Sequence, residues 1–309
     1  MITSVFKKST PLNYSSVVIL ILVFFFLFQL QDSSWLSSYF LTFQKISLLC
    51  FILASFFLVN FIIKKNGLSK DNGYAIFFYL LFVLFFPGIF NNPNVLYANF
   101  FVLLAVRRLI SMQSLKASKE KIFDASFWIL IASLFQFWSI LFLILVYISI
   151  LFHVSRDYRN WILPFIALLG VTSLFLMVSF IFNFNALTFI QDRALIDFRI
   201  DYFKNNYENA ALSIYASVAL FFVISMLTIL SHKPQIVHIS YKKIIAYFFI
   251  AVVVYIISAD KSNDLLLFSI VPLTIMAASH VEYMKQKLNN EIVFYVLIVC
   301  SLFTFFSQL

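Results

Sequence analysis

Long apolar runs alternate with short polar segments over the whole chain. A membrane-spanning α-helix needs about 20 predominantly apolar residues, with roughly 17–25 observed. The runs lie at about 15–30, 46–63, 74–90, 95–106, 122–136, 139–154, 161–182, 212–230, 244–258, 265–279 and 292–306. We therefore predict an all-α polytopic membrane protein with about eleven transmembrane helices, organised as a single integral membrane domain over residues 1–309.

The number of spans depends on how the segment 122–154 is divided. One helix of about 33 residues would be about 50 Å long, against a hydrocarbon core of about 30 Å. Two short helices that fold back near Gln136 would place most of the 22 Lys and Arg residues on the side of the amino terminus. The exceptions are Lys45, Arg193, Arg199, Lys204 and Lys261. Because cytoplasmic loops carry the excess of Lys and Arg, we predict two helices and a cytoplasmic amino terminus.

Composition indicates the class of protein and argues against a nucleic-acid partner. Hydrophobic residues make up 63% of the chain and charged residues 11%, whereas a soluble domain is nearer half and a quarter. The net charge of +9 is spread over short loops, which indicates orientation in lipid rather than nucleic-acid binding. Cys50 and Cys300 lie in apolar runs, and no cofactor or metal site is predicted. No cleavage signal follows the first run, so we expect a retained first span.

The longest polar interruption is the segment 184–210, which the predicted topology places on the outer face. Its apolar positions recur at spacings of three and four, which is typical of one helical face; they are Leu187, Ile190, Ala194, Phe198 and Tyr202. Arg193 and Asp197 would pair at i, i+4 on another face. We predict an amphipathic helix on the outer leaflet. It either fastens the seventh span to the eighth or covers a cavity for a lipid-linked or periplasmic ligand.

Three charged groups share the predicted outer face: Asp32, the cluster 192–208 and the cluster 260–264. A carboxylate near a cation suits transfer from a phosphate-activated donor, since the acceptor needs a base and the leaving phosphate needs positive charge. An ordinary polar loop is the alternative for 260–264. No carboxylate or Lys lies at predicted mid-depth, where ionisable groups mark ion pathways. A transporter therefore ranks below the other functions.

Three stretches resemble a family of flavobacterial (Bacteroidota) inner-membrane proteins without an established activity: MITSVFKKSTPLNY, FPGIFNNPNVLYANFFVLLAVRRL and SLFQFWSILFLILVYISILF. A second resemblance concerns residues 261–279, where a basic residue, an apolar run, Pro and small residues follow in order. This order is similar to a late segment of GT-C-like membrane glycosyltransferases, which use polyprenyl-phosphate sugars. In those enzymes the catalytic carboxylate lies in a long first outer loop, whereas Asp32 lies in a loop of about 15 residues.

The GT-C resemblance implies a GT-C-like helical arrangement and a polyprenyl-phosphate-linked donor. It makes Asp32 the candidate catalytic base, while Arg193, Arg199 and Lys261 would hold the phosphate. The full set of candidate binding residues is Arg193, Asp197, Arg199, Asp201, Lys261 and Asp264. The alternative is a non-catalytic subunit of an envelope complex, whose Phe-rich helices contact a membrane-protein partner.

Overall fold

The computed structural model describes residues 2–199, 205–259, 261–284 and 287–309. These residues form thirteen α-helices joined by short 3-10 helices and turns. In chain order the helices are α1 (Ile2–Val5), α2 (Pro11–Gln29), α3 (Tyr39–Lys65), α4 (Tyr74–Val83), α5 (Pro93–Ile110), α6 (Ser118–Phe135), α7 (Leu143–His153), α8 (Arg159–Ile181), α9 (Ala186–Arg193), α10 (Asn206–Leu230), α11 (Gln235–Ile257), α12 (Leu267–Tyr283) and α13 (Lys287–Ser307).

The prediction of an all-α polytopic membrane protein is confirmed. Eight helices in the described part of the chain are long and apolar enough to cross a membrane. They are Pro11–Gln29, Tyr39–Lys65, Pro93–Ser114, Arg159–Ile181, Asn206–Leu230, Gln235–Ile257, Asn263–Tyr283 and Leu288–Ser307. The segments Tyr74–Val83 and Phe137–His153 are apolar but shorter. The remaining predicted span corresponds to α6, whose first turns carry the charged residues Lys119, Glu120, Lys121 and Asp124.

The short helix α4 lies at the centre of the bundle beside α12. Every residue from Ala75 to Val83 is buried, as is every residue from Leu267 to Val281. The sequence predicted a continuous span over 74–90, but the α-helix ends at Val83 and a 3-10 helix follows over Pro87–Asn91. Pro87 lacks the N–H that an α-helix needs. Irregular backbone at this depth is tolerated because protein surrounds it.

The outer helices expose apolar side chains along one side and pack against the centre with the other. In α8, Phe165, Leu169 and Phe180 are well exposed, while Ala167 and Val171 are buried. A soluble protein would not expose so many large apolar side chains. Lipid is therefore the solvent that these faces require.

The chain reverses direction at Gln136. Helix α6 ends at Phe135, Gln136 has extended backbone angles, and a 3-10 helix over Phe137–Phe142 leads into α7. The extended residue ends the helical hydrogen-bond pattern, so α6 and α7 are separate helices. The membrane side on which this reversal lies stays a prediction.

Helix α11 begins earlier than the sequence indicated. The predicted spans 212–230 and 244–258 leave residues 231–243 as a loop, but α11 starts at Gln235 and buries Lys243. The Lys243 Nζ donates a hydrogen bond to the carbonyl of Leu109, in the last turn of α5. The last four carbonyls of a helix have no partner within the helix, and a cation is favoured there. This contact explains why the lysine lies inside the bundle.

The predicted amphipathic helix over 187–202 is wrong for residues 194–199. Helix α9 ends at Arg193, and residues 195–199 are not helical. The reason is a set of long-range contacts: the Asp197 N–H donates to the Ile257 carbonyl at 3.2 Å, and Ile196 forms an isolated antiparallel bridge with Ser258. Arg193 and Asp197 therefore do not share a helix face. Asp201, Tyr202, Lys204 and Asp260 lie outside the described residues.

Candidate functional site

Residues 193–197, called the strap below, run across the end of the bundle that contains the α6–α7 reversal. At the start of the strap, Arg193 Nη1 donates to the carbonyl of Leu134 near the end of α6, at 2.6 Å. Two residues later, the Trp138 Nε1–H donates to the Leu195 carbonyl at 3.0 Å. The side chains of Arg193 and Trp138 thus fasten the strap to the reversal.

The far end of the strap is held by the connection between α11 and α12. Besides the Ile196–Ser258 bridge, Lys261 Nζ donates a hydrogen bond to the Asp197 carbonyl. Lys261 is 9% exposed, so its ammonium group lies in the protein interior against this backbone oxygen. The structure therefore brings Arg193, Asp197 and Lys261 together around one segment, and it gives Lys261 a role in holding that segment.

A polar cavity of about 220 Å³, the polar pocket, lies at the start of the strap. Its lining residues come from four separate parts of the chain: Asn94, Phe135, Gln136, Phe137, Trp138, Asp192, Arg193 and Ala259. Amide, carboxylate and guanidinium groups in one cavity can hydrogen-bond both the hydroxyls and the anionic oxygens of a ligand. This chemistry fits a polar headgroup.

A second cavity of about 120 Å³, the apolar pocket, lies between α6, α8 and α9. Most of its lining residues are apolar, and it shares two residues, Phe137 and Arg193, with the polar pocket. Phe175 of α8 and Phe189 of α9 form part of its wall, with ring centroids 5.4 Å apart. The two cavities therefore meet at Arg193.

The Arg193 guanidinium is held in a defined position at this junction. Its central carbon lies 4.0 Å from the centroid of the Phe189 ring, within the range of a cation–π contact. A guanidinium has five N–H donors in a planar fork that matches phosphate geometry. The Nη1 contact with the Leu134 carbonyl uses one direction of this fork, so the group can bind an anion without first being ordered.

Asp264 connects two neighbouring elements. Its Oδ2 accepts hydrogen bonds from Asn92 Nδ2 at 3.2 Å and from Ser262 Oγ at 3.3 Å. Gly88, in the 3-10 helix after α4, lies so close that a Cβ there would be 3.2 Å from the Asp264 Cγ and nearer still to Oδ1. The carboxylate therefore links the α4–α5 turn to the start of α12.

Asp32 and Arg199 are held elsewhere. Asp32 is exposed on the α2–α3 connection and lies near the cation of Lys45, which contacts Asn91 through Nζ. Arg199 is exposed, and its backbone N–H donates to Asp197 Oδ1 at 2.9 Å. Neither Asp32 nor Arg199 lines the polar or the apolar pocket. Their predicted roles as base and phosphate ligand stay predictions.

The sequence comparison gives a family. Residues 7–309 match the profile described as "Family of unknown function (DUF6427)". The chain belongs to this family. Searches of curated proteins and of solved structures find no match.

Several pocket residues of this DUF6427 member were not assigned to a site from the sequence. The sequence analysis identifies Gln136 only as the point of reversal and gives Trp138 and Asn94 no role. Asp192 belonged to the charged outer cluster but received no individual role. Only the fold brings these positions together around one cavity, from parts of the chain that are far apart in sequence. Among the residues the structure describes, no group of three or more His, Cys, Asp or Glu could hold a metal ion.

Proposed function

We propose that the two neighbouring pockets bind a membrane lipid whose headgroup carries phosphate, with Arg193 as the phosphate ligand. The observation that carries this proposal is the position of Arg193, which lines both the polar and the apolar cavity. A lipid phosphate lies at the boundary between apolar chains and a polar headgroup. Arg193 occupies the corresponding boundary in the protein.

The lining of the two cavities supports a phosphate-linked sugar lipid in cell-envelope biogenesis. The apolar pocket would receive the first part of a hydrocarbon chain between α6 and α8. Asn94, Gln136 and Asp192 line the polar pocket and supply hydrogen-bond acceptors and donors for sugar hydroxyls. The predicted polyprenyl-phosphate donor has this combination of apolar chain, phosphate and hydroxyls.

A transfer reaction at this site would need a base for the acceptor. Asp192 lines the polar pocket beside Arg193, so it is placed to accept a proton from a hydroxyl near the phosphate. Asp32, the base that the GT-C resemblance implies, lies beside Lys45 on the α2–α3 connection. We therefore propose Asp192 as the first candidate and Asp32 as the second.

Binding of a polyprenyl phosphate to the purified full-length protein tests the proposal. A charge-assisted hydrogen bond is worth about 1.5–3 kcal/mol, so Arg193→Gln is expected to weaken binding about 10- to 100-fold. Arg199→Gln is the matched control, because it removes an arginine six positions away that lines neither pocket. The corresponding polyprenyl alcohol should bind the wild type and Arg193→Gln equally. Equal affinity of both variants for the phosphate would refute the assignment.

The catalytic part of the proposal has its own test. Asp192→Asn and Asp32→Asn are compared for their effect on the glycan and lipid profiles of the cell envelope. If only one of the two variants loses the wild-type glycan and lipid profiles, the residue replaced in that variant is the base. If neither variant changes the profiles and the protein copurifies with a stable membrane partner, the subunit alternative replaces the transferase.

A further inference from the structure

A cluster of basic side chains lies at the opposite end of the α6 and α7 helices from the polar pocket. It surrounds a cavity of about 360 Å³, the basic cavity. Lys119 reaches it from the start of α6, His153 from the end of α7, and Arg156 from the connection to α8. Three positively charged or titratable side chains from separate elements therefore face one space.

The cavity has an excess of positive charge. Asp157 is the one carboxylate among its described lining residues. Its Oδ1 accepts the backbone N–H of Arg159 at 3.0 Å, and its Oδ2 lies 3.2 Å from Lys119 Nζ. These two contacts lower the pKa of Asp157, so it stays ionised and compensates Lys119. Among the described residues Arg156 makes no ion pair of this kind, and its charge remains for a ligand.

More basic side chains lie near the cavity. Lys121 and Lys243 are close enough to His153 to act on it electrostatically, and Lys242 Nζ lies 6.0 Å from the centroid of the Phe152 ring. The rule that cytoplasmic loops are rich in Lys and Arg concerns the number of cations in each loop. It does not require cations from different loops to converge on one cavity, so orientation alone does not account for this cluster.

One side of the basic cavity is apolar and open to the surroundings of the bundle. Leu151 and Phe152 line it, and their exposed fractions are 56% and 42%. An anion that binds beside these side chains can therefore be attached to a hydrocarbon chain that continues along α7. A soluble anion would gain nothing from such a wall.

We propose that the basic cavity binds the phosphate of an anionic membrane lipid, with Arg156 as its ligand and Leu151 and Phe152 against its acyl chain. Basic cavities between helices on the cytoplasmic side are suited to anionic headgroups. This site is separate from the polar pocket at the other end of the bundle. Its occupation does not depend on the proposed function there.

The test compares phosphatidylglycerol with phosphatidylcholine on the purified full-length protein, with bound lipid counted by native mass spectrometry. Phosphatidylglycerol should bind more tightly than phosphatidylcholine. Each Lys or Arg near an anionic headgroup contributes about 1 kcal/mol to the binding free energy. Arg156→Gln should therefore weaken the binding of phosphatidylglycerol about fivefold at low salt. Asp157→Asn should act in the opposite direction and tighten binding, because it removes the negative charge from the cavity. Both positions lie at the surface or partly exposed, so both variants are expected to fold.

One matched control makes the result decisive. Lys116→Gln removes an exposed lysine from the same end of the bundle but not from the cavity, and it should leave binding unchanged. Equal weakening by Lys116→Gln and Arg156→Gln would overturn the proposal in favour of a general surface field. Full competition by glycerol 3-phosphate would overturn it in favour of a soluble phosphate ligand.

Discussion

Replacing Gly88 by Ala should break the link between the α4–α5 turn and α12. The added Cβ would lie 3.2 Å from the Asp264 Cγ, 3.3 Å from Oδ2 and nearer still to Oδ1. The carboxylate must therefore move, because the Gly88 backbone is fixed in the 3-10 helix that Pro87 begins. Moving it lengthens the hydrogen bonds that Asp264 accepts from Asn92 and Ser262.

The expected cost follows from those contacts. Hydrogen bonds to a charged group contribute about 1.5–3 kcal/mol, and overpacking a well-filled site costs about 1–3 kcal/mol. Displacement of the carboxylate relieves the overlap as it breaks the hydrogen bonds, so the two costs do not add. We expect Gly88→Ala to lower the free energy of unfolding by about 2 kcal/mol.

A double-mutant cycle with Asp264→Ala separates this mechanism from a general effect on the turn. Unfolding is followed by circular dichroism in mixed micelles for Gly88→Ala, Asp264→Ala and the double variant. Because the Asp264→Ala change removes the group that the new methyl meets, the double variant should be at least about 1 kcal/mol more stable than the sum of the single costs predicts. Costs that add within about 0.5 kcal/mol would refute the reasoning.

Three other changes have defined outcomes. Trp138→Phe removes the donor to the Leu195 carbonyl and should speed hydrogen–deuterium exchange in the strap, while exchange in α12 stays unchanged. Unaltered exchange in the strap would contradict the role of Trp138 in fastening it. Ser225→Ala leaves the buried His280 ring without its partner at 2.5 Å and should lower the free energy of unfolding by about 1–3 kcal/mol, whereas an unchanged unfolding curve would show that the contact is dispensable. Because the pKa of Asp157 is lowered, its ionised carboxylate stabilises the folded state at pH values above the ordinary pKa of 3.8. This stabilisation is lost as the pH falls through the lowered pKa. Melting temperatures below about pH 5 should therefore fall less steeply for Asp157→Asn than for the wild type, and parallel curves would contradict this.

The all-α class could be predicted because it depends on local information. A run of apolar residues of span length specifies a helix in lipid wherever it packs. The end of α4 was also accessible in principle, since Pro87 lies within the predicted span 74–90. Its effect was underestimated because the apolar run continues past it. The buried lysine at 243 was missed because its partner, the Leu109 carbonyl, belongs to a distant helix.

The candidate site was only partly predictable for the same reason. Arg193 was identified from its charge within a polar interruption, and it does line the polar pocket. The helical spacing of Leu187, Ile190 and Ala194 continued through Phe198, which favoured a longer helix. Hydrogen bonding of Asp197 to Ile257 outweighs that local pattern, and no spacing rule shows such a contact.

The central claim is that the polar pocket lies on the opposite membrane face from the basic loops. The most direct test is labelling with a membrane-impermeant maleimide in spheroplasts, whose inner membrane is intact. The labelled variants carry Cys50→Ser and Cys300→Ser, which remove the native cysteines. Asp192→Cys reports on the pocket, and Lys116→Cys reports on the other end of the bundle. The predicted topology requires Asp192→Cys to be labelled from outside and Lys116→Cys only after permeabilisation. Labelling of Asp192→Cys only after permeabilisation would contradict the account.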